Sequence, residues 1–189
     1  MSYILIKNSR VVNEGNIFSA DILIKNDLIF KISNKIKPQK NYKIVEANNK
    51  ILIPGVIDDQ VHFREPGLTH KGTISSESKA AVAGGITSFI EMPNTIPQTT
   101  SLDELNKKFE LAKKNSFANY SFMFGGTNDN LNEIKKIDEK SVAALKLFLG
   151  SSTGNMLVDD EKVLKDIFEN TNLLIAVHSE DEKIINDNL

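Results

Sequence analysis

Four polar residues at alternate positions in one short stretch of this sequence are of types that do chemistry. They are Asp58, Gln60, His62 and Arg64, within PGVIDDQVHFREPG at residues 54–67. Side chains two residues apart in a β-strand point to the same face, so the four are predicted to share one face. A carboxylate and an imidazole are metal ligands, and a guanidinium binds anions. The spacing therefore indicates a metal site beside an anion-binding group.

The residues that lead into this stretch decide between two interpretations of it. A solvated hairpin edge could also carry a row of polar side chains. The apolar residues 51–53, followed by Val56 and Ile57, favour a buried strand instead. Val61 and Phe63 would then face the other way and pack against helices.

Lys146 and His178 are the other residues of interest, and each has two interpretations. Lys146 lies inside the apolar run VAALKLFL at residues 142–149. A lysine is rare there without a partner, so it is either a salt-bridged core residue or a residue used in chemistry. His178 ends the apolar run 173–178 and is either a hydrogen-bonded strand end or a ligand. His70 lies in a loop and is predicted to be a surface histidine.

Composition excludes several classes of protein. The chain has 189 residues, a net charge of −2, 25% charged and 40% hydrophobic residues, which is ordinary for a soluble protein. This balance argues against a nucleic-acid-binding surface. No apolar run approaches the roughly 18 residues of a membrane span, and the first ten residues do not follow the order of a signal peptide. Cysteine is absent, so disulfides and thiolate chemistry are excluded, and a cytoplasmic location is expected.

The first 53 residues are predicted to be rich in β-structure. Polar turn clusters, such as Asn13-Glu14-Gly15-Asn16, separate short apolar runs. The predicted strands are Tyr3–Lys7, Asp21–Ile24, Leu28–Ile32 and Tyr42–Val45. Such a segment is either an independent small β domain or part of a larger sandwich.

From residue 54 onward, strands are predicted to alternate with helices. The strands are predicted to begin at Val56 and to include Ile86–Met92, Tyr120–Phe124, Val142–Leu149 and Leu173–His178. The first helix is predicted to begin at a cap at Thr73 or Ser75 and to stop at Gly84-Gly85, and a capping-box sequence from Ser101 to Glu104 begins the second. The third is indicated by the apolar residues Leu131, Ile134 and Ile137. The last two are predicted to begin at a cap at Asp159 or Asp160 and at Ser179. Repeated strand–helix units imply a parallel sheet. Such units close into a barrel at eight strands, whereas a five-stranded doubly wound domain would need a glycine-rich phosphate loop that is absent here.

The motifs of this region resemble those of a known group of enzymes. The segment from Asp58 to His62 resembles the first barrel strand of the amidohydrolase superfamily, marked by Asp-x-His-x-His. HFREPG at residues 62–67, together with MPNT at residues 92–95, is similar to dihydroorotases in particular. The resemblance covers essentially the whole chain. It implies an α/β fold: a partial TIM-type (β/α)8 barrel of about five of the eight strands over residues 54–189, truncated, preceded by part of a β-sandwich over residues 1–53.

The resemblance also implies a metal centre with two zinc ions. His62, Lys146 and His178 match ligand positions, and Lys146 would be carboxylated and bridge the metals. LKLF followed by GSSTG, residues 145–154, carries the match at Lys146. Gln60 departs from the family, because it replaces the first histidine of the motif. An amide binds zinc poorly, so this departure puts the affinity for the first metal in doubt.

Substrate binding is implied for Arg64 and Asn94, which would hold a carboxylate of the substrate. An arginine fork suits this role because it forms two parallel hydrogen bonds. A turn residue between Pro93 and Pro97 is the alternative for Asn94. The family's catalytic aspartate and a further histidine would lie beyond Leu189.

The implied activity is that of a dihydroorotase, the reversible cyclisation of N-carbamoyl-L-aspartate to L-dihydroorotate in pyrimidine biosynthesis. A chain of five strands would be inactive alone. The alternatives are a hydantoinase- or allantoinase-like cyclic amidohydrolase, and a metal-free dihydroorotase-like assembly protein, which Gln60 favours. The expected partner is a small-molecule substrate, with neither nucleic acid nor membrane, and a homo-oligomer is left open.

Overall fold

The structure, a computed structural model, describes residues 1–150 and 156–189, apart from the side chains of residues 182 and 183. The described chain divides into two compact units, Met1–Pro54 and Gly55–Leu189. The strands are β1 (Tyr3–Asn13), β2 (Asn16–Lys25), β3 (Leu28–Ser33), β4 (Tyr42–Glu46), β5 (Ile51–Leu52), β6 (Val56–Val61), β7 (Ile86–Glu91), β8 (Asn119–Gly125), β9 (Ala144–Phe148) and β10 (Ile175–His178). The helices are α1 (Ile74–Ala83), α2 (Leu102–Asn115), α3 (Leu131–Ile134), α4 (Glu161–Asn170) and α5 (Glu182–Asp187).

The first unit is a five-stranded mixed sheet organised around β1. Strand β1 pairs antiparallel with β2 and parallel with β4 and β5, while β3 pairs with the outer side of β2. The β1–β2 turn places Glu14 and Gly15 at positive φ, which the Asn13–Asn16 cluster anticipates. The four strands predicted in this region are confirmed, and each extends further than predicted.

A buried carboxylate fixes an irregularity in the first sheet. The β1–β2 register shifts between Ile6 and Ser9, where Asn8 has a φ of 56°. Asp21 accepts hydrogen bonds from the backbone N–H groups of Asn8 and Ile36, both at 2.9 Å. Burial raises the pKa of Asp21, but these two bonds and nearby lysines outweigh it, so the pKa lies below its usual value.

The second unit is a curled, parallel five-stranded half-barrel sheet. Its strand order is β10-β9-β8-β7-β6, so every strand pairs with its neighbours in the sequence. This confirms the predicted partial α/β barrel of five strands. The core between sheet and helices is rich in aromatic rings, and Phe63 stacks on Phe89 with ring centroids 4.5 Å apart. Phe63 and Val61 both pack on this core, as predicted.

Three helix starts follow the predicted caps. Thr73 accepts a hydrogen bond from the Ser76 N–H, and Ser101 accepts one from the Glu104 N–H. Asp160 caps α4 by accepting from the N–H groups of Lys162 and Val163. These side chains satisfy amide groups that the first turn of a helix leaves unpaired. None of the described helices combines the length and apolarity needed to cross a membrane.

The expectation that residues 51–57 belong to a buried strand is wrong in the described chain. Ile51 and Leu52 pair with β1 in the first unit, whereas Val56 and Ile57 open β6 in the second. Within residues 1–150 and 156–189, strand β6 is the outer strand of its sheet and its pairing partner is β7, so Ile57 is 62% exposed. The apolar composition of β6 is typical of a buried strand, but the described residues supply no strand that pairs with its outer edge.

The core-facing side of α2 carries Leu105 and Ala112, which are buried, and Leu102 and Phe109, which are partly buried and pack against the same core. One smaller prediction needs correction. The predicted helix through Ile137 stops at Ile134, because α3 is a single turn.

Candidate active site

Four of the five candidate residues lie at or beyond the carboxyl ends of parallel strands, and the fifth, Lys146, lies in the middle of its strand. His62 and Arg64 follow β6, Asn94 follows β7, Lys146 lies in β9, and His178 ends β10. In barrels of this type the carboxyl ends of the strands form one face, and active sites are built there. The backbone thus places His62, Arg64, Asn94 and His178 at that end of the sheet, with Lys146 inside β9.

The predicted alternation of four side chains along one strand is only half correct. Strand β6 ends at Val61, so Asp58 and Gln60 lie within it, whereas His62 and Arg64 lie beyond it. Arg64 has a φ of 73°, an uncommon conformation for a residue with a long side chain. The period of two that the prediction assumed is already interrupted within β6, where the register with β7 shifts between Asp58 and Val61, and the left-handed Arg64 interrupts it again.

His62 and Asn94 form a direct hydrogen bond. His62 Nδ1 lies 2.9 Å from Asn94 Oδ1, and Asn94 is buried. Partial burial lowers the pKa of His62, and the positive charges of Arg64, Lys146 and Lys108 lower it further, while the bond to Asn94 raises it. A neutral imidazole that donates from Nδ1 to the amide oxygen keeps its Nε2 lone pair free. That nitrogen is therefore available to a metal ion.

The loops that carry Arg64 and Asn94 are tied to each other. The Ile96 N–H donates to the Pro66 carbonyl at 3.1 Å. The Arg64 N–H donates to Glu91 Oε1 at 3.3 Å, and the Arg64 carbonyl accepts from the Leu68 N–H at 3.0 Å. The HFREPG and MPNT motifs therefore form one connected structure.

Glu91 and Lys108 form a buried ion pair, which sequence reasoning did not single out. Both side chains are 1% exposed. The Lys108 ammonium also donates to the Met92 carbonyl at 2.9 Å and to Thr99 Oγ1 at 3.3 Å. Burial lowers the pKa of Lys108 and raises that of Glu91, while the attraction between the two groups acts against both shifts. The available sequence signal was a lysine in the apolar stripe of α2, between Leu105 and Ala112.

Lys146 is buried and differs from Lys108 in its surroundings. It is 4% exposed, and its Nζ lies 5.2 Å from the centroid of the Phe148 ring. No carboxylate of the described residues forms an ion pair with it, and desolvation lowers its pKa. Both the salt-bridged interpretation and the chemical one were open for this lysine. The described residues supply no salt bridge.

His178 lies on the same face of the sheet as Lys146. Ala176 is the register partner of Lys146, and His178 is the register partner of Phe148. His178 therefore lies two residues further toward the carboxyl end of the sheet than Lys146. His178 Nε2 lies 3.1 Å from Glu180 Oε1, and both side chains remain accessible. His178 is thus at the mouth of the site, with a carboxylate that can orient its ring.

Gln60 is the sequence-predicted site residue with the weakest structural connection. The Gln60 side chain is exposed on the edge strand β6. The Gln60 backbone N–H donates a hydrogen bond to Asp58 Oδ1 at 3.2 Å. Among residues 1–150 and 156–189, no three histidine, cysteine, aspartate or glutamate side chains converge on a common point. The GSSTG segment that carries part of the match at Lys146 falls mainly on residues 151–154, outside the described residues. His70 is exposed, as predicted.

The half-barrel is a partial (β/α) barrel, and most of the candidate site residues lie at the carboxyl ends of its strands. The model of the dihydro-orotase-like family matches residues 49–162, so the chain belongs to that family. A dihydroorotase of Methanosarcina acetivorans is 35% identical over 187 residues, covering 97% of this chain and 40% of that protein. An L-hydantoinase of Paenarthrobacter aurescens is 32% identical, covering 96% of this chain and 41% of that protein.

The solved structures agree with the fold. The L-hydantoinase from Arthrobacter aurescens superposes with a TM-score of 0.92 at 32% identity, over 99% of this chain and 43% of that one. A dihydropyrimidinase from Brevibacillus agri has a TM-score of 0.80 at 23% identity, which supports the fold alone. The chain therefore spans about two fifths of the length of these relatives.

Proposed function

We propose that this chain is the N-terminal part of a dihydroorotase, an enzyme that interconverts L-dihydroorotate and N-carbamoyl-L-aspartate. The observation that carries the proposal is the connection between the two loops that hold Arg64 and Asn94. The Ile96–Pro66 bond joins these loops, and Asn94 contacts His62 directly. A substrate carboxylate could therefore be held beside the histidine that faces the reacting centre. Similarity to dihydroorotases over 97% of the chain supports the same reaction.

The charge of the site suits an anionic substrate. Arg64, Lys146 and Lys108 all act on His62 as positive charges, and among the described residues Glu91 is the carboxylate that forms an ion pair with one of them, Lys108. The Arg64 guanidinium can bind a carboxylate through two parallel hydrogen bonds. In the hydrolytic direction the ring C–N bond breaks, the oxygen of water becomes part of the new carboxylate, and the ring nitrogen takes a proton. Arg64 would hold the existing carboxylate throughout.

The donor set fits a metal centre on one condition. His62 and His178 are ordinary ligands, and Lys146 becomes an oxygen ligand only as a carbamate. Carbamate formation requires a neutral amine, and desolvation lowers the pKa of Lys146 in the direction of that form. A divalent zinc ion held by these residues would supply Lewis acidity and a nucleophile from water near neutral pH. Asn94 would fix the tautomer of His62.

The experiment is an assay of the full-length protein that contains this sequence. Ring opening of L-dihydroorotate and ring closure of N-carbamoyl-L-aspartate are both expected, together with bound metal. Lys146→Ala should lose most of the metal, and a short carboxylic acid should partly restore binding by replacing the carbamate. Full retention of metal by Lys146→Ala would contradict the carbamate. The 189-residue chain alone is expected to show no turnover.

A hydantoinase is the second candidate, because an L-hydantoinase superposes with a TM-score of 0.92. A hydantoin ring lacks the carboxylate that Arg64 is proposed to hold. The two functions separate in one comparison, the kcat/KM for L-dihydroorotate against that for a 5-substituted hydantoin. Arg64→Met should reduce only the first. A preference for the hydantoin that is unchanged in Arg64→Met would favour the hydantoinase.

A further inference from the structure

The Glu91–Lys108 pair lies beneath the two loops of the candidate site. Glu91 is the last residue of β7. The register partners of Glu91 are Val61 in β6 and Phe122 in β8. Lys108 reaches the pair from the buried side of α2. Neither side chain is accessible to a substrate, since each is 1% exposed. A role in binding must therefore be exerted through other residues.

Lys108 closes the loop that carries Asn94. The Lys108 ammonium group donates hydrogen bonds to the Met92 carbonyl and to Thr99 Oγ1, and the same group forms the ion pair with Glu91. Met92 and Thr99 stand on either side of Asn94 in the chain. The Thr99 N–H also donates to the Pro93 carbonyl at 2.9 Å, and the Thr99 carbonyl accepts from the Gly125 N–H at 2.8 Å. One buried cation thus joins both ends of the Asn94 loop.

Glu91 holds the other loop. Its Oε1 accepts from the Arg64 N–H at 3.3 Å, at the residue whose φ is 73°. A long side chain in this conformation persists only where the surroundings fix it. The same carboxylate therefore contacts Lys108, which closes the Asn94 loop, and the backbone of Arg64.

We propose that the Glu91–Lys108 pair positions Arg64 and Asn94, the two residues proposed to hold the substrate carboxylate. The pair fixes the Arg64 loop and the Asn94 loop relative to each other without contacting the substrate. This inference rests on the proposed function. It assigns the pair to substrate binding and leaves the chemical step to other residues. Loss of a uniform binding contact raises KM and leaves kcat unchanged.

The test compares three variants in the full-length protein. Lys108→Met leaves the Glu91 carboxylate buried without its partner, and should lower the melting temperature. Glu91→Leu/Lys108→Met removes both charges together, so the melting temperature should largely recover while the hydrogen bonds to both loops remain lost. Lys107→Met is the matched control. Lys107 is the next residue of α2 and forms only exposed ion pairs, with Asp103 and Glu104.

Two measurements apply to each variant. Hydrogen–deuterium exchange should show faster exchange at the Arg64 and Thr99 amides in the double variant than in the wild type or Lys107→Met. The KM for L-dihydroorotate should rise about 10- to 100-fold in the double variant, as for a displaced positioning group, with kcat and metal content unchanged. If the double variant does not fold, Thr99→Val removes one acceptor of Lys108 and should give a smaller change in the same direction.

The outcomes separate the positioning role from a purely structural one. If the KM recovers together with the melting temperature in the double variant, the pair only fills the core and the proposal fails. It fails equally if exchange at the two loops is unchanged, or if kcat falls together with metal content. If the wild-type protein acts on neither dihydroorotate nor carbamoyl aspartate, the proposed function fails, and exchange at the Arg64 and Thr99 amides alone decides whether the pair orders the loops.

Discussion

Replacement of the two buried lysines by methionine should change the free energy of unfolding in opposite directions. Lys108 has three polar partners, whereas Lys146 has the Phe148 ring and no described carboxylate. Methionine is close to lysine in length, so each replacement keeps most of the packing of the methylene groups. The difference between the two variants therefore reports on the polar end of each side chain.

The expected sizes follow from these surroundings. Removal of one partner from a buried ion pair costs about 3–5 kcal/mol, so Lys108→Met should be destabilised by that amount. Burial of a polar group without a hydrogen-bond partner costs about 1–3 kcal/mol, which Lys146→Met would recover. Loss of the contact with Phe148 takes back about 0.5–2 kcal/mol. Lys146→Met should thus be more stable than the wild type by about 1 kcal/mol, or roughly 2–4 °C in Tm.

The gain from Lys146→Met should depend on pH. Desolvation lowers the pKa of Lys146 below its ordinary value of 10.5 in the folded protein. At pH values below the lowered pKa, both states hold the proton and the full cost of burying the charge is present. Between the two pKa values only the unfolded state holds it, so wild-type stability rises with pH. The advantage of Lys146→Met should therefore shrink as the pH approaches 10.5.

Urea unfolding in metal-free buffer depleted of carbon dioxide measures both effects, because neither a metal nor a carbamate can then stabilise the wild type. Exposed Lys107→Met serves as the control and should change stability by less than about 0.5 kcal/mol. A loss of about 2 kcal/mol or more in Lys146→Met would refute the reasoning. Lys146 would then have a polar partner in the folded protein and would be a structural core lysine.

Three further predictions concern single residues. Arg64→Ala in the full-length enzyme should weaken transition-state binding by about 2–5 kcal/mol with little change in metal content, and unchanged kinetics would rule out its role. Gln60→His should tighten metal binding, because imidazole is a better zinc ligand than an amide; metal titration with no gain would mean that Gln60 does not face the metal. Asp21→Asn should cost about 1–3 kcal/mol at neutral pH, because an amide replaces a charged acceptor of two buried N–H groups. The pKa of Asp21 is lowered in the folded state, so its contribution to the free energy of unfolding should be present above the pKa of the unfolded state and be lost as the pH falls through the pKa of the folded state. In urea titrations at acid pH, Asp21→Asn should therefore lose less stability than the wild type.

Local signals predicted the elements of the fold well. The caps at Thr73, Ser101 and Asp160 act over three residues of sequence, so their side-chain types are sufficient to place the helix starts. The strand–helix alternation likewise predicted the parallel sheet, because a parallel pair requires a crossover connection. In these cases the cause and the effect lie close together in the chain.

Features that depend on distant residues were not predictable from the pattern. Lys108 is stabilised inside the core by Glu91, 17 positions earlier in the chain, and its exposed neighbour Lys107 has the same residue type. The register shift between Asp58 and Val61 and the positive φ of Arg64 both interrupt an alternation that sequence spacing alone would continue. The exposure of Ile57 depends on which strands cover β6, a property of the assembled sheet. His62, Arg64, Asn94 and His178 lie at or beyond the carboxyl ends of their strands, as the resemblance implies, and the use of the site residues as ligands stays a prediction.

The strand order of the second unit has a consequence for the order of folding during synthesis. From β7 onward, each of its strands pairs with the strand that precedes it in the chain, so the sheet can grow one strand–helix unit at a time as the ribosome releases them. The Glu91–Lys108 contact spans only the second of these units, and short loops close at little entropic cost. The Arg64 and Asn94 loops can therefore be in place before Lys146 and His178 have left the ribosome. The substrate-binding side of the site would be formed first, and the lysine and second histidine would be added to a surface already fixed.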